Sequence, residues 1–332
     1  MRTPGSRGRM MLVLLLLLFC FAGFALSLAS GPVKTSLGDL LKFLTGGDAG
    51  RRALFLDLRL SRAVLAFLVG ASLSLAGAIL QGYFRNPMAD PFVVGVSSGA
   101  SLGAVSSLAL GLSFSLPGLS GQSLAAFAFG LLTVVIVYGL SQRSRTFRLE
   151  TLLLTGIAAG ALASALTTFL LFLRSDSYDQ AVFWLLGSFQ LAGWREVLTV
   201  APWFAACLPA AAFLARDMDL LSLGDETAQA LGCPVRTVRK AFLAVATLLA
   251  AVSVSVSGII GFVGLIVPHA VRLVAGPGHR RLFLLSPLAG GTLLVYCDLL
   301  ARTLLPSELP VGVITAALGA PFFIYLLNRR RV

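Results

Sequence analysis

From Arg59 to Gly82 the chain reads RLSRAVLAFLVGASLSLAGAILQG (59–82), an apolar run long enough to cross a bilayer as a helix, for which about 20 apolar residues suffice. It predicts a helix near 63–84. Comparable runs lie at 11–30 before it and at 93–112, 122–141, 151–172 and 196–215 after it, set apart by Gly, Pro, Ser or charged breaks. With 57% hydrophobic and 12% charged residues among 332, and a mean hydropathy of +0.91, the composition excludes a water-soluble globule. The short alternating segments of a β-barrel do not occur in it.

The second half needs charge to resolve it, because 240–275 is nearly continuous and 282–327 is broken only by LPSELP (305–310). A basic N-terminus (Arg2, Arg7, Arg9) placed inside puts QRSRTFR (142–148), the 216–240 segment, GPGHRR (276–281) and the Arg329–Arg331 tail inside as well. Two passes must then fit between 241 and 275, breaking near SGIIGFVG (257–264), and two more must turn at LPSELP. Ten spans result, with both termini cytoplasmic. About 17 of the 26 Lys and Arg fall inside. The eighth span, near 262–275, is too short for a full bilayer and requires burial in protein.

The fold class predicted is therefore an all-α membrane protein, 1–332 forming one transmembrane domain. Gly77, Ile79 and Pro87 recur as Gly258, Ile260 and Pro268, a weak echo that fits two five-helix halves of opposite orientation. Residues 11–30 exceed a usual signal-peptide core and are expected to stay as the first span. Cys20, Cys207, Cys233 and Cys297 are scattered without ligand spacing and predict buried thiols. The net charge of +12 sits in short loops, so topology explains it better than nucleic acid does.

Small residues recur every fourth position at Gly95, Gly99 and Gly103, and again at Gly156, Gly160, Ser164 and Thr168. Such flat faces pack helices closely or line a wet cavity. Asp298 is the main carboxylate within a span, and Arg302 four residues on predicts a local ion pair near the outer end. A secondary carrier usually needs more buried charge than this. His269 has no Cys or carboxylate at ligand spacing and is expected to be structural. The sequence has no Gly-x-x-x-x-Gly-Lys-Ser/Thr loop, so nucleotide energy would have to come from a partner. The 216–240 segment is the best docking candidate: Asp225 and Glu226 suit a helix start, Ala228 and Leu231 form a small apolar face, and Gly232 with Pro234 stops the helix.

These stretches resemble the FecCD/BtuC-like permease family, the membrane subunits of binding-protein-dependent ABC importers for iron-siderophores, haem and cobalamin. The resemblance covers 59–82, RNPMADP (85–91), GVSSGASLGA (95–104), the 221–234 loop, GFVGLIVPHAVRLVAG (261–276) and SELPVGVITAALGAPFFIYLL (307–327). It implies an inner-membrane homodimer with the pathway between subunits, two cytoplasmic ATPases that hold the ATP, and an external binding protein. No cofactor or metal is implied in this subunit. By the same resemblance Arg59, Arg62 and Arg302 meet the binding protein, while Leu223, Gly224, Glu226, Ala230, Leu231 and Gly232 seat in the ATPase. Asn86 and Met88 match a cytoplasmic gate, and spans five and ten flank the cavity, which Gly156, Gly160, Ser164 and Thr168 would line. The segment RLET (148–151) departs from the family's second gate element. Iron chelates are the expected cargo, with cobalamin the alternative. From other classes, a secondary carrier would need buried carboxylates, and an intramembrane enzyme Asp-rich or His-bearing loops.

Overall fold

In lipid, backbone N–H and C=O groups must be satisfied within the segment, so apolar runs of this length fold as helices. The computed structural model describes residues 6–30, 54–111, 115–116, 119–142, 149–173 and 178–329. Its helices are α1 (Ser6–Ala29), α2 (Ser61–Tyr83), α3 (Val96–Ala109), α4 (Gly121–Gln142), α5 (Leu149–Leu173), α6 (Tyr178–Leu185), α7 (Trp194–Phe213), α8 (Ala215–Ser222), α9 (Asp225–Ala230), α10 (Val235–Ser257), α11 (Val263–Ala275), α12 (His279–Thr303) and α13 (Val311–Arg329). A wide π-helical turn, Leu54–Leu60, runs into α2. Two-residue strands, β1 (Ser115–Leu116) and β2 (Leu119–Ser120), pair antiparallel before α4.

Among the described residues seven helices, α1, α2, α4, α5, α7, α10 and α12, are long and apolar enough to cross a membrane, and α11 and α13 are shorter apolar helices. With α3, which belongs to neither group but stands at the place of the third expected span, they follow the expected order. The third differs from expectation: it is 14 residues long, not a span over 93–112. RNPMADP and the residues after it fold into turns, one closed by Asp90 Oδ1 accepting the Phe92 N–H at 2.8 Å, and α3 starts only after Gly95. A short helix, α6, lies where no span was expected.

Helix α2 is buried along most of its length and packs against α12, α10, α11 and α7. Lipid tails give no hydrophobic drive between helices, so close approach and interhelical hydrogen bonds must hold this centre. Ser74 Oγ donates to the Ser286 carbonyl at 2.8 Å, and Gln81 Nε2 donates to that of Leu265 at 2.9 Å. A Cβ at Gly77 would overlap the Gly264 carbonyl oxygen, so α2 and α11 touch backbone to backbone. On the other side of the fold, α1 leans on α12, with Phe19 and Tyr296 stacked at 4.5 Å.

One pattern occurs twice: a long helix, an irregular break, a short helix, then two longer helices, as α2 to α5 and again as α10 to α13. Both short helices follow a residue of positive φ, Gly95 at 89° and Phe262 at 69°. The sequence echo does not map these halves onto each other. Gly77 lies within α2, whereas Gly258 caps α10, so the matched residues stand at different places in the two units. The basic residues 143–148 and the tail at 330–332 lie outside the described residues.

Candidate functional site

Residues 215–234 form two short helices, α8 and α9, and α10 already begins at Val235, so the loop expected to reach 240 stops at Pro234. Helix α9 ends as its sequence suggests. Gly232 takes φ 84°, its N–H donates to the Gln229 carbonyl (3.0 Å), and the Cys233 N–H donates to that of Ala228 (2.9 Å). This is the left-handed helix end that glycine fits best. Ala228 turns inward and is fully buried. Leu223, Glu226, Ala230, Leu231 and Gly232 are exposed and Gly224 partly so, Leu223 at 63% and Leu231 at 57%. Two large apolar side chains are thus presented on an otherwise polar segment.

The segment is tied down at two points. Asp225 pairs with Arg85 beyond the end of α2 and with Arg239 of α10, whose Nη2 lies 2.6 Å from its Oδ1. Arg85 Nε also donates to the Leu221 carbonyl at 2.8 Å, and Arg239 Nη1 to that of Tyr83 at 3.1 Å. Asp219 of α8 accepts from the backbone N–H of His279 at 3.0 Å and stands 2.6 Å from its Nδ1, capping α12. Burial alone would push the Asp225 carboxyl up, but the Arg239 hydrogen bond and the charges of Arg239 and Arg85 outweigh it and hold its pKa below the ordinary 3.8. The carboxylate therefore stays ionised at neutral pH and lets go only in acid. Sequence reasoning saw Asp225 only as a helix start, since its partner Arg85 lies 140 residues away.

Asn86 and Met88 sit just beyond α2, in the same neighbourhood as Arg85. Asn86 is exposed, and its Oδ1 accepts the Met88 N–H at 3.0 Å. The small-residue face of α5 divides. Gly156 is buried against Val93 and Val94, Gly160 faces Ser98 of α3, and Ser164 and Thr168 are exposed. Half of this expected pathway stripe is helix packing and half an open face. Gly99 and Gly103 pack on α4 at Phe129 and Ala125. Cys207, Cys233 and Cys297 are buried and Cys20 is half-buried.

At the opposite end of α2 the arginines differ from expectation. Asp298 is fully buried. Arg62 grips it through Nε (3.0 Å) and Nη2 (2.9 Å), and Arg302 Nε lies 3.1 Å from its other oxygen. Arg62 Nη1 also reaches Glu308, in the turn before α13, at 3.1 Å. Arg302 Nη2 donates to Ser27 Oγ at 2.8 Å, and Arg59 Nη1 donates to the Leu28 carbonyl at 2.8 Å. Arg59 is only 7% exposed, and the side chains of Arg62 and Arg302 are 12% and 9% exposed. The local Asp298–Arg302 pair is present as read from the sequence. Free surface cations are not: the buried carboxylate draws Arg62 and Arg302 inward, and the half-buried Glu308 is the most accessible member of the set.

Two anchored ends on a helix bundle built from a twice-repeated unit suit a transport subunit, and the family model for the FecCD transport family matches residues 15–329. The chain belongs to this family. Its FecCD relatives include the cobalamin import system permease protein BtuC of Halobacterium salinarum, 45% identical over 83% of this chain and 73% of that one. Another is the Fe(3+) dicitrate transport system permease protein FecD of Escherichia coli, 40% identical over 87% of this chain and 90% of that one. Among solved structures, a chain described as of a metal-chelate type ABC transporter, in an inward-facing conformation, superimposes with a TM-score of 0.85 at 32% identity, over 96% of this chain and 99% of that one. As a FecCD member the chain is a multi-pass membrane protein and a permease subunit of the ABC type.

Proposed function

We propose that this chain works as a homodimer, with two cytoplasmic ATPases and an external binding protein, to import an iron chelate such as a ferric siderophore or haem. The observation that carries this reading is the 215–234 segment: an exposed face bearing Leu223, Glu226, Ala230 and Leu231, mounted on charged ties to the inner ends of α2, α10 and α12. A partner that pushes on this face moves three spanning helices. In this mechanism ATP bound by the ATPases closes them, α8 and α9 transmit the movement, and α5 and α13 of the two copies reshape the cavity between them. Asn86 and Met88 narrow its inner end. The subunit itself makes and breaks no covalent bond. Both termini lie in the cytoplasm of an inner-membrane protein. Cobalamin is the second reading, favoured by the 45% identical relative named for it.

The test is reconstitution in liposomes with the partner ATPase and binding protein, offering labelled ferric siderophore, haem and cobalamin in separate runs. Concentrative uptake of an iron chelate is expected only with ATPase and ATP present. Uptake by the chain alone on a proton gradient would make it a secondary carrier instead. Gly232→Val in the same assay should leave the spanning helices folded but strain the α9 end by about 1–3 kcal/mol, so that hydrolysis no longer drives uptake. Wild-type transport by that variant would remove the segment from the coupling path.

Docking at this end takes a modified form, with Arg62 exchanging its bond to the half-buried Glu308 for a carboxylate of the binding protein while Asp298 keeps both arginines. Glu308→Gln, which frees one face of Arg62, should then raise the association rate at low salt by up to about fivefold, an effect lost at high salt. An unchanged rate would place docking elsewhere.

A further inference from the structure

Helices α4 and α10 meet along an open groove of about 490 Å³ that belongs neither to the coupling segment nor to the outer cluster. Leu131 and Val135 line it from α4, and Leu243, Ala244 and Leu248 line it from α10. Leu131 and Val135 lie four apart on α4, as do Ala244 and Leu248 on α10, so an apolar stripe on each helix faces the groove. Tyr138 and Lys240 close one end, where the groove runs into a polar pocket that shares Tyr138, holds Arg236 and Gln142, and is bounded by the 215–234 segment at Asp225, whose charge is already taken up by Arg85 and Arg239. Arg236 and Lys240 are one helical turn apart on α10, exposed, and in no ion pair among the described residues.

We infer that this groove holds an anionic phospholipid, its acyl chain between α4 and α10 and its headgroup phosphate against Lys240 and Arg236. The groove is apolar along its length and cationic at the end of the spanning helices, which matches the order of acyl chain and phosphate in such a lipid. A second copy of the chain is a poorer occupant, because it would bring the same cations to the same end. Snorkelling of Lys240 into bulk headgroups would not need the groove.

The full chain, purified in mild detergent and offered equimolar phosphatidylglycerol and phosphatidylcholine, can be weighed intact by native mass spectrometry to count the lipids it keeps. Wild type should retain one phosphatidylglycerol in preference to phosphatidylcholine. The double variant Arg236→Gln/Lys240→Gln should weaken that preference by roughly fivefold for each cation removed. Ala244→Trp, which fills the groove and keeps both charges, should lose the bound lipid as well. Arg280→Gln/Arg281→Gln, exposed cations outside the groove, should behave as wild type. Equal retention of the two lipids by wild type, or a double variant indistinguishable from the Arg280/Arg281 control, would overturn the inference. So would full retention by Ala244→Trp, or cross-linking of two copies through a cysteine placed at Val135.

Discussion

Asp298→Asn is expected to destabilise the folded protein by about 3–5 kcal/mol, because it leaves two buried arginine side chains facing a neutral amide. The loss arises from the stranded cations more than from the attraction of the original pairs, which largely offsets the cost of burying them. Two comparisons isolate that cause. Glu308→Gln, at a side chain 35% exposed, should cost no more than about 1 kcal/mol. Asp298→Leu with Arg302→Leu removes an acid and a base together, leaves Arg62 its bond to Glu308, and should cost less than Asp298→Asn alone. Denaturant unfolding in detergent micelles measures all three. An Asp298→Asn variant within 1 kcal/mol of wild type would mean that the arginines are solvated at this end and that the cluster is a surface feature.

Gly77→Leu should abolish the folded state in detergent. Its first side-chain carbon would occupy the position of the Gly264 carbonyl oxygen, and the obstacle is backbone, which cannot swing aside as a side chain does. Overpacking a core commonly costs about 1–3 kcal/mol, and parting α2 from α11 along a helix axis exceeds that range. The polar tie beside it, Gln81 to the Leu265 carbonyl, would be broken by the same separation. Gly139→Leu is the matched control: on α4, a Cβ at Gly139 meets nothing within 4 Å, so the larger residue should be tolerated. Monodispersity on gel filtration and yield from the membrane report the outcome. A Gly77→Leu protein that elutes and unfolds like wild type would refute the backbone contact between α2 and α11.

Both predictions concern features that hydropathy alone does not reveal. Runs of apolar residues and the breaks between them are local properties, which is why the long apolar helices and the short eighth helix stand in the order expected. Helix ends are local too. Asp225 and Glu226 at the start of α9, and Gly232 at its finish, carry their conformational preferences within a few residues. The α3 boundary was less legible, because 93–95 are apolar or small and only the turns closed by Asp90 and the positive φ of Gly95 show where the helix begins.

What the amino-acid sequence determined by itself was therefore the helical class, the order of the apolar segments, and the exposed 215–234 segment with its glycine stop. Each depends on transfer free energy or backbone propensity over short stretches of chain. The tertiary structure alone decided which glycine meets which backbone, that Asp225 and Asp219 bind the 215–234 segment to distant helix ends, and that Arg62 points at Asp298, 236 positions away, instead of outward. A guanidinium near an apolar boundary is drawn to whichever carboxylate folding brings beside it, and no local pattern encodes that neighbour.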